Sequence, residues 1–575
     1  MKPYSHAAAL SLAVTLVFAA PAQADTLKKP ELDKLAAIEQ ATPSADFQAF
    51  LSAALKANPA LQSAVAAYRA KTPLAGDDLV NIGRLLGLWN RAHNQSAVLA
   101  MLEKMVELPT VRDDKVPPHQ SPAIIAFGAL IEGAARDFGL AYRNVDNRIF
   151  EVKLPGRGND EFGILTHADV VPVTADEWVL DDGRKIDPFK VTRVGNLLYG
   201  RGTIDDKGSI AATLFAMKTV KESGLPIDRT IRLMIETTEE TGGDAMKYYR
   251  EKTPLPDYNI VLDSKYPAVV AEKGSGAVKV FFPDEPASAN TTTITAMAGA
   301  AAANAVPQTA TATLRGGDLA AAAAKLEAAK SDFLRRYESQ GGKFAIDITS
   351  AADSLAVKVT GVSAHGSRPE EGVNPLPRLG LFLRAAGIPL ADNHYAKALR
   401  YLDDLYGTGY LGEKMGVGYR DDFMGPLTIS PNLIRERDGK LEVTANARMP
   451  RGRTPEALVE SVKSKIDAWA AANNVKLEVS YEQGNWMARD PKGAWLSTLL
   501  NVFGDTTGLE AKPVATAGST TAKLMPNAIN FGPAMPGKKY TAHNAKEYKE
   551  VQDLDADMQM FTEMLVRIGN LKQMQ

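Results

Sequence analysis

Three short apolar segments run directly into imidazole or carboxylate groups. "FGILTHAD" (162–169) ends on His167 and Asp169, "TIRLMIETTEE" (230–240) on Glu239 and Glu240, and "DYNIVLD" (257–263) on Asp263. Each is short and rich in β-branched residues, the pattern of a buried strand. Between the first two lies the glycine loop "GRGTIDDKG" (200–208), with Asp205 and Asp206 side by side, followed by the helical stretch "GSIAATLFAMKTVKES". Strands alternating with helices predict an α/β sheet, whose reactive groups gather at the carboxyl ends of the strands. In "TGGDAMKYYREK", Asp244 is placed to cap the helix after the second strand.

The remaining chain sorts around this sheet. Residues 25–110 show apolar spacing of three and four in "DFQAFLSAALKANPALQSAVAAYRA" and "DDLVNIGRLLGLWNRAHNQSAVLAMLEKMVEL", which predicts packed amphipathic helices without evident chemistry. A first catalytic segment is expected over 111–274, an inserted domain over 275–482, and a second catalytic segment over 483–575, closed by the helix "LDADMQMFTEMLVRIGNL". Residues 1–24 join Lys2 and His6 to an apolar run and to Ala22-Gln23-Ala24, the pattern of a cleaved signal peptide. The mature chain is therefore expected in the periplasm or outside the cell.

Composition narrows the function. Lys and Arg number 66 against 68 Asp and Glu, a balance with no global attraction for nucleic acid or an anionic membrane. There is no cysteine, which excludes disulfides, thiolate ligands and a thiol nucleophile. Of the seven histidines, His167 follows a strand and His543 follows "NAINFGPAMPG", a further strand and loop. Taken singly, each polar group has an ordinary explanation: a helix cap, a turn or exposed charge. Taken in order at successive strand ends, His167, Asp205, Glu239, Glu240, Asp263 and His543 have the ligand types of a hydrolytic zinc or manganese centre. His93, His119 and His394 match no such pattern and read as structural.

The ordered motifs "HADVVP", "GRGTIDDKG", "TTEETGG", "LDSKYP" and "TAHNAKEY" resemble the metallopeptidase family of acylase, acetylornithine deacetylase, succinyl-diaminopimelate desuccinylase and glutamate carboxypeptidase. The Asp263 segment, "AEKG" and the long insertion look most like its peptidase V (dipeptidase) branch. The resemblance covers residues 111–575 and implies a zinc-exopeptidase-like catalytic domain, a mixed sheet flanked by helices, interrupted by an inserted α+β lid domain. It implies two divalent ions, zinc foremost with manganese or cobalt as alternatives. His167, Asp205 and Asp263 would hold one ion and Asp205, Glu240 and His543 the other, with Asp205 bridging. Asp169 would orient the His167 ring through its second nitrogen, and Glu239 would be the general base. Asp206 would support the loop. From the lid, His365 in "VSAHGSRP" would donate to the oxyanion, with Asn374 in "EGVNP" assisting. Arg448 in "TANARMPRG" would meet the substrate carboxylate, with Gly518, Ser519 and Thr520 as a cradle that departs from the usual glycine-heavy form.

The implied activity is a dipeptidase acting on short unblocked peptides. An N-acyl amino acid deacylase is the alternative within the family, and a non-catalytic binding protein on the same fold is the alternative outside it. A serine hydrolase lacks its signature, since no G-x-S-x-G elbow occurs, and H-E-x-x-H is also missing.

Overall fold

The computed structural model describes residues 26–285, 291–299, 302–338, 342–489 and 492–575, so the expected signal peptide lies outside the described residues. A nine-stranded mixed sheet forms the first layer. Across its centre run the strands Ile149–Leu154, Thr230–Glu236, Glu161–His167, Tyr258–Val261, Ala528–Asn530 and Ala268–Glu272. Four consecutive strands, from Thr230–Glu236 to Ala528–Asn530, are mutually parallel. Their side chains are buried on both faces, which explains continuous apolar runs such as "FGILT" in place of alternation. The register pairs His167 with Glu236 and Leu165 with Val261. The segments that follow these strands therefore emerge together at one edge of the sheet.

The inserted segment forms an eight-stranded, wholly antiparallel sheet from Gly274–Pro283 to Glu478–Gln483. Its first strand alternates buried and half-buried residues, with Val278, Val280 and Phe282 facing inward, as one-sided packing requires. The helices Leu319–Glu338, Pro375–Ala385, His394–Leu405 and Pro455–Ala472 cover that face. The two largest hydrophobic cores follow this division. One runs from Leu27 to Met574 but takes nothing between Val270 and Trp495, and the other lies wholly within Val278–Tyr481.

The N-terminal helices share the first core and are not a separate body. The 31-residue helix Gly76–Val106 lies along the last helix, Val551–Gly569, and against Lys207–Glu222. Val551–Gly569 is buried on nearly every side for that reason. At the crossing the helices come so close that a Cβ on Gly87 would stand 2.4 Å from the Gln559 carbonyl oxygen. Beside it Arg84, fully buried, meets Glu563 at 3.0 Å, Asn501 at 2.8 Å, Asp505 and the Leu27 carbonyl.

The histidines read as structural sit outside the cleft described below. His93 pairs with Glu39 at 2.8 Å and stacks on Trp89, while buried His394 opens a helix. His119 lines a separate surface cleft. One local expectation fails. Asp244 is the first residue of its helix and not the cap; Gly243, at φ +70°, occupies the cap position. The Ala245 N–H is satisfied at 2.8 Å by the Thr238 hydroxyl, which reaches across the turn of Glu239 and Glu240.

Candidate active site

At the edge where the parallel strands end, His167, Asp205, Glu240, Asp263 and His543 converge. The Asp205 carboxylate is divided between the two imidazoles: Oδ1 lies 2.9 Å from His167 Nε2 and Oδ2 lies 3.1 Å from His543 Nε2. Asp263 approaches the same nitrogen of His167 at 3.8 Å, and Glu240 approaches that of His543 at 2.7 Å. His167, Glu239 and Asp263 offer donor atoms that all lie within 4.8 Å of one another, as do His167, Asp205 and Glu240. Asp206, the neighbour of Asp205, turns inward and is fully buried.

The charges on these groups bear on what the cluster could hold. Four carboxylates, Asp205, Asp263, Glu239 and Glu240, share one pocket. Burial and then the Asp205 charge push Asp263 up to about 7. Burial and then the Asp263 charge hold Glu239 well above the usual carboxylate range. Such crowding of like charge is costly unless cations lie among the oxygens. Two imidazoles with several carboxylates and no thiolate fit hard or borderline divalent ions such as zinc and manganese.

Asp169 differs from expectation. The second nitrogen of His167 is met by the backbone carbonyl of Asp169 at 2.8 Å, while the nearer carboxylate oxygen stands off at 3.6 Å. That carboxylate instead accepts the backbone N–H groups of Glu239 and Glu240, both at 3.1 Å. Just past the strand end, the Asp169 carbonyl meets the ring while its side chain reaches the loop that follows the neighbouring strand. Asp169 therefore orients His167 through its main chain and the two glutamates through its side chain.

The lid completes a cleft of about 770 Å³. His365 stacks on His543 with ring centres 4.2 Å apart. Its Nδ1 accepts the Ser367 backbone N–H at 3.0 Å, so the neutral ring carries its proton on Nε2. Burial, then the neighbouring His543 and Arg448, hold its pKa well below the ordinary value, which favours that neutral donor form. Arg448 is buried and lines the cleft, with Nε bonded to Asn446 at 2.9 Å. Burial lowers it to about 10, against the opposing pull of Glu239, Glu240 and Glu272, so it stays a cation near neutrality. Gly518, Ser519 and Thr520 line the same cleft.

Asn374 does not line it. Its amide donates to the Pro431 carbonyl at 2.8 Å, and its oxygen accepts Leu376 N–H at 3.0 Å as the cap of Pro375–Ala385. A proline at the first helical position makes the residue before it the natural cap.

Sequence reasoning passed over Asn304, Ser367 and Glu272. Asn304 donates to Glu240 at 3.3 Å, and its carbonyl lies 3.4 Å from His543 Nδ1, so a lid residue touches both groups. Glu272 accepts Thr520 N–H at 3.1 Å and Thr520 Oγ1–H at 2.7 Å and so holds the Gly518–Thr520 loop. The "AEKG" motif was its only signal in the sequence.

Residues 163–567 match the family described as Peptidase family M20/M25/M40. The chain belongs to that family. It is a metal-dependent peptidase, and the matched span begins in the strand of His167 and ends in the last helix, leaving the helices up to Val106 outside. This M20 peptidase is similar to the Beta-Ala-Xaa dipeptidase of Lactobacillus delbrueckii subsp. lactis, 28% identical over 486 residues, which cover 82% of this chain and 96% of that protein. The crystal structure of human carnosine dipeptidase 1 aligns with a TM-score of 0.54 at 12% identity, covering 87% of this chain and 100% of the other. The di-peptidase Dug1p from Saccharomyces cerevisiae aligns with a TM-score of 0.53 at 12% identity, covering 85% and 99%. At such identity the two structures speak for the fold of the M20 peptidase, a catalytic sheet with an inserted lid.

Proposed function

We propose that this M20 peptidase is an exported dipeptidase that hydrolyses short unblocked peptides at a site for two divalent cations, zinc foremost. The observation that carries this reading is the division of one carboxylate, Asp205, between two imidazoles that each have a further acidic partner. His167 with Asp263 and His543 with Glu240 are the two half-sites it would join. The similarity to a dipeptidase over nearly that protein's whole length supports the substrate class, and the pattern of residues 1–24 supports export.

When bound, a pair of such ions polarises the scissile carbonyl and acidifies water. The chain's own groups supply the rest. Glu239 faces the cleft beside the ligands, where it takes the proton of the attacking water and delivers it to the departing amine. His365 presents Nε2–H from the lid to the oxygen on which negative charge develops. Arg448 and the Gly518–Thr520 loop receive the substrate carboxylate, and a guanidinium fork suits that anion.

Activity on Leu–Gly and Ala–Ala compared with N-acetyl amino acids, with added zinc or manganese, tests the substrate class. Unblocked dipeptides are expected to be the better substrates; strong preference for the acetylated compounds would overturn the proposal. Arg448→Met is expected to lower kcat/KM for Leu–Gly by about 30-fold, the loss of roughly 2 kcal/mol in a charge-assisted hydrogen bond. Leu–Gly amide, which lacks the carboxylate, should show little difference between the two enzymes. Equal losses on both substrates would place Arg448 outside carboxylate binding.

A further inference from the structure

Asp205 sits in a tight loop, and one side chain accepts three of that loop's backbone N–H groups. Glu547, fully buried, accepts from Ile204 N at 3.0 Å and Asp205 N at 3.2 Å through Oε1, and from Gly202 N at 3.1 Å through either oxygen. Its Oε2 also takes Arg201 Nη1–H at 2.7 Å, and the second arm of that guanidinium reaches the Asn544 carbonyl at 3.2 Å. The Glu547 main-chain oxygen accepts Gly200 N–H at 3.0 Å. Gly202 adopts φ +90°, the conformation that lets its N–H and those of Ile204 and Asp205 face a single anion. Such a nest favours a negative charge at its centre, because three inward N–H groups and an arm of the guanidinium all donate to it.

Glu547 lies four residues after His543, in the loop between that histidine and the last helix. One residue thus joins the segment carrying His543 to the loop carrying Asp205, the two groups whose side chains meet at 3.1 Å. We propose that Glu547, with Arg201, is the positioning residue that sets the distance between Asp205 and His543. It does so without touching either side chain, so that the donor atoms of both half-sites are in place before any cation arrives. This inference rests on the reading of Asp205 as a shared ligand. It predicts that Glu547 acts on cation affinity and not on the peptide.

The test is titration of the stripped full-length protein with Zn²⁺ alone and, separately, with Co²⁺ followed by its visible absorption. Glu547→Gln keeps the shape but places an amide where acceptors are needed, and is expected to weaken affinity by about 10- to 100-fold, the range for groups that orient ligands. The Co²⁺ spectrum should change, and KM for Leu–Gly at saturating metal should stay within about two-fold of wild type. Arg201→Lys, which keeps the charge but loses the second arm, is the companion variant should Glu547→Gln fail to fold, and is expected to shift affinity in the same direction. Wild-type affinity and spectrum in a folded variant would overturn the role of Glu547. A wild-type protein that takes up no metal would instead overturn the reading of the site itself, so the two failures are distinguishable.

Discussion

Glu239→Gln is expected to lower kcat/KM for dipeptides by about 10²- to 10⁴-fold, the range for loss of a general acid–base group, while metal content stays at the wild-type level. The two adjacent glutamates divide their work by position. Glu240 stands 2.7 Å from His543 Nε2 and is held further by Asn304, whereas no hydrogen bond of the Glu239 carboxylate is found among the described residues. Both main chains hang from the Asp169 carboxylate, so the amide substitution leaves the turn in place. A proton acceptor is then lost with little change of shape. Metal analysis beside steady-state kinetics checks this. Loss of metal from the Glu239→Gln variant would exchange the roles of the two glutamates.

Arg84→Met is expected to destabilise the folded chain by about 3 kcal/mol, the lower end of the range for breaking a buried ion pair. Arg84 and Glu563 are both fully buried, and the same guanidinium satisfies Asn501, Asp505 and the Leu27 carbonyl. Arg567 remains 2.7 Å from Glu563 and tempers the loss. The N-terminal helices are thereby fastened to the last helix, which packs against the layer of Lys207–Glu222 under the site. Chemical denaturation of wild type and variant gives the comparison, and a midpoint unmoved by the substitution would make the extension an accessory to the fold.

The strand ends were legible because their physics is local. An apolar β-branched run that stops on a charged group leaves that group one place to go, the edge of the sheet, and His167 and Asp263 are both found there. The inserted lid was legible as a change of texture after the strand ending at Glu272. Partners distant in sequence were not. Asn304 lies in "AAANAVP", a stretch with no polar pattern, and gains its contact with Glu240 only when the lid folds across the cleft. Arg84 occupies a helical position that looks solvent-facing until a helix nearly 480 residues later covers it. Asp169 and Asn374 show a different limit. The family resemblance implied a ring partner and a substrate contact, but the loop of Glu239 and Glu240 beside Asp169 and the helix that opens after Asn374 engage both side chains with backbone N–H groups.

The most direct test is the metal content of the purified chain compared with its Asp205→Ala variant. Two divalent ions per wild-type chain, with both lost or greatly weakened in the variant, is the predicted result. Full peptidase activity in a chain holding one ion or none, or two ions retained without Asp205, would contradict a centre built on that shared carboxylate.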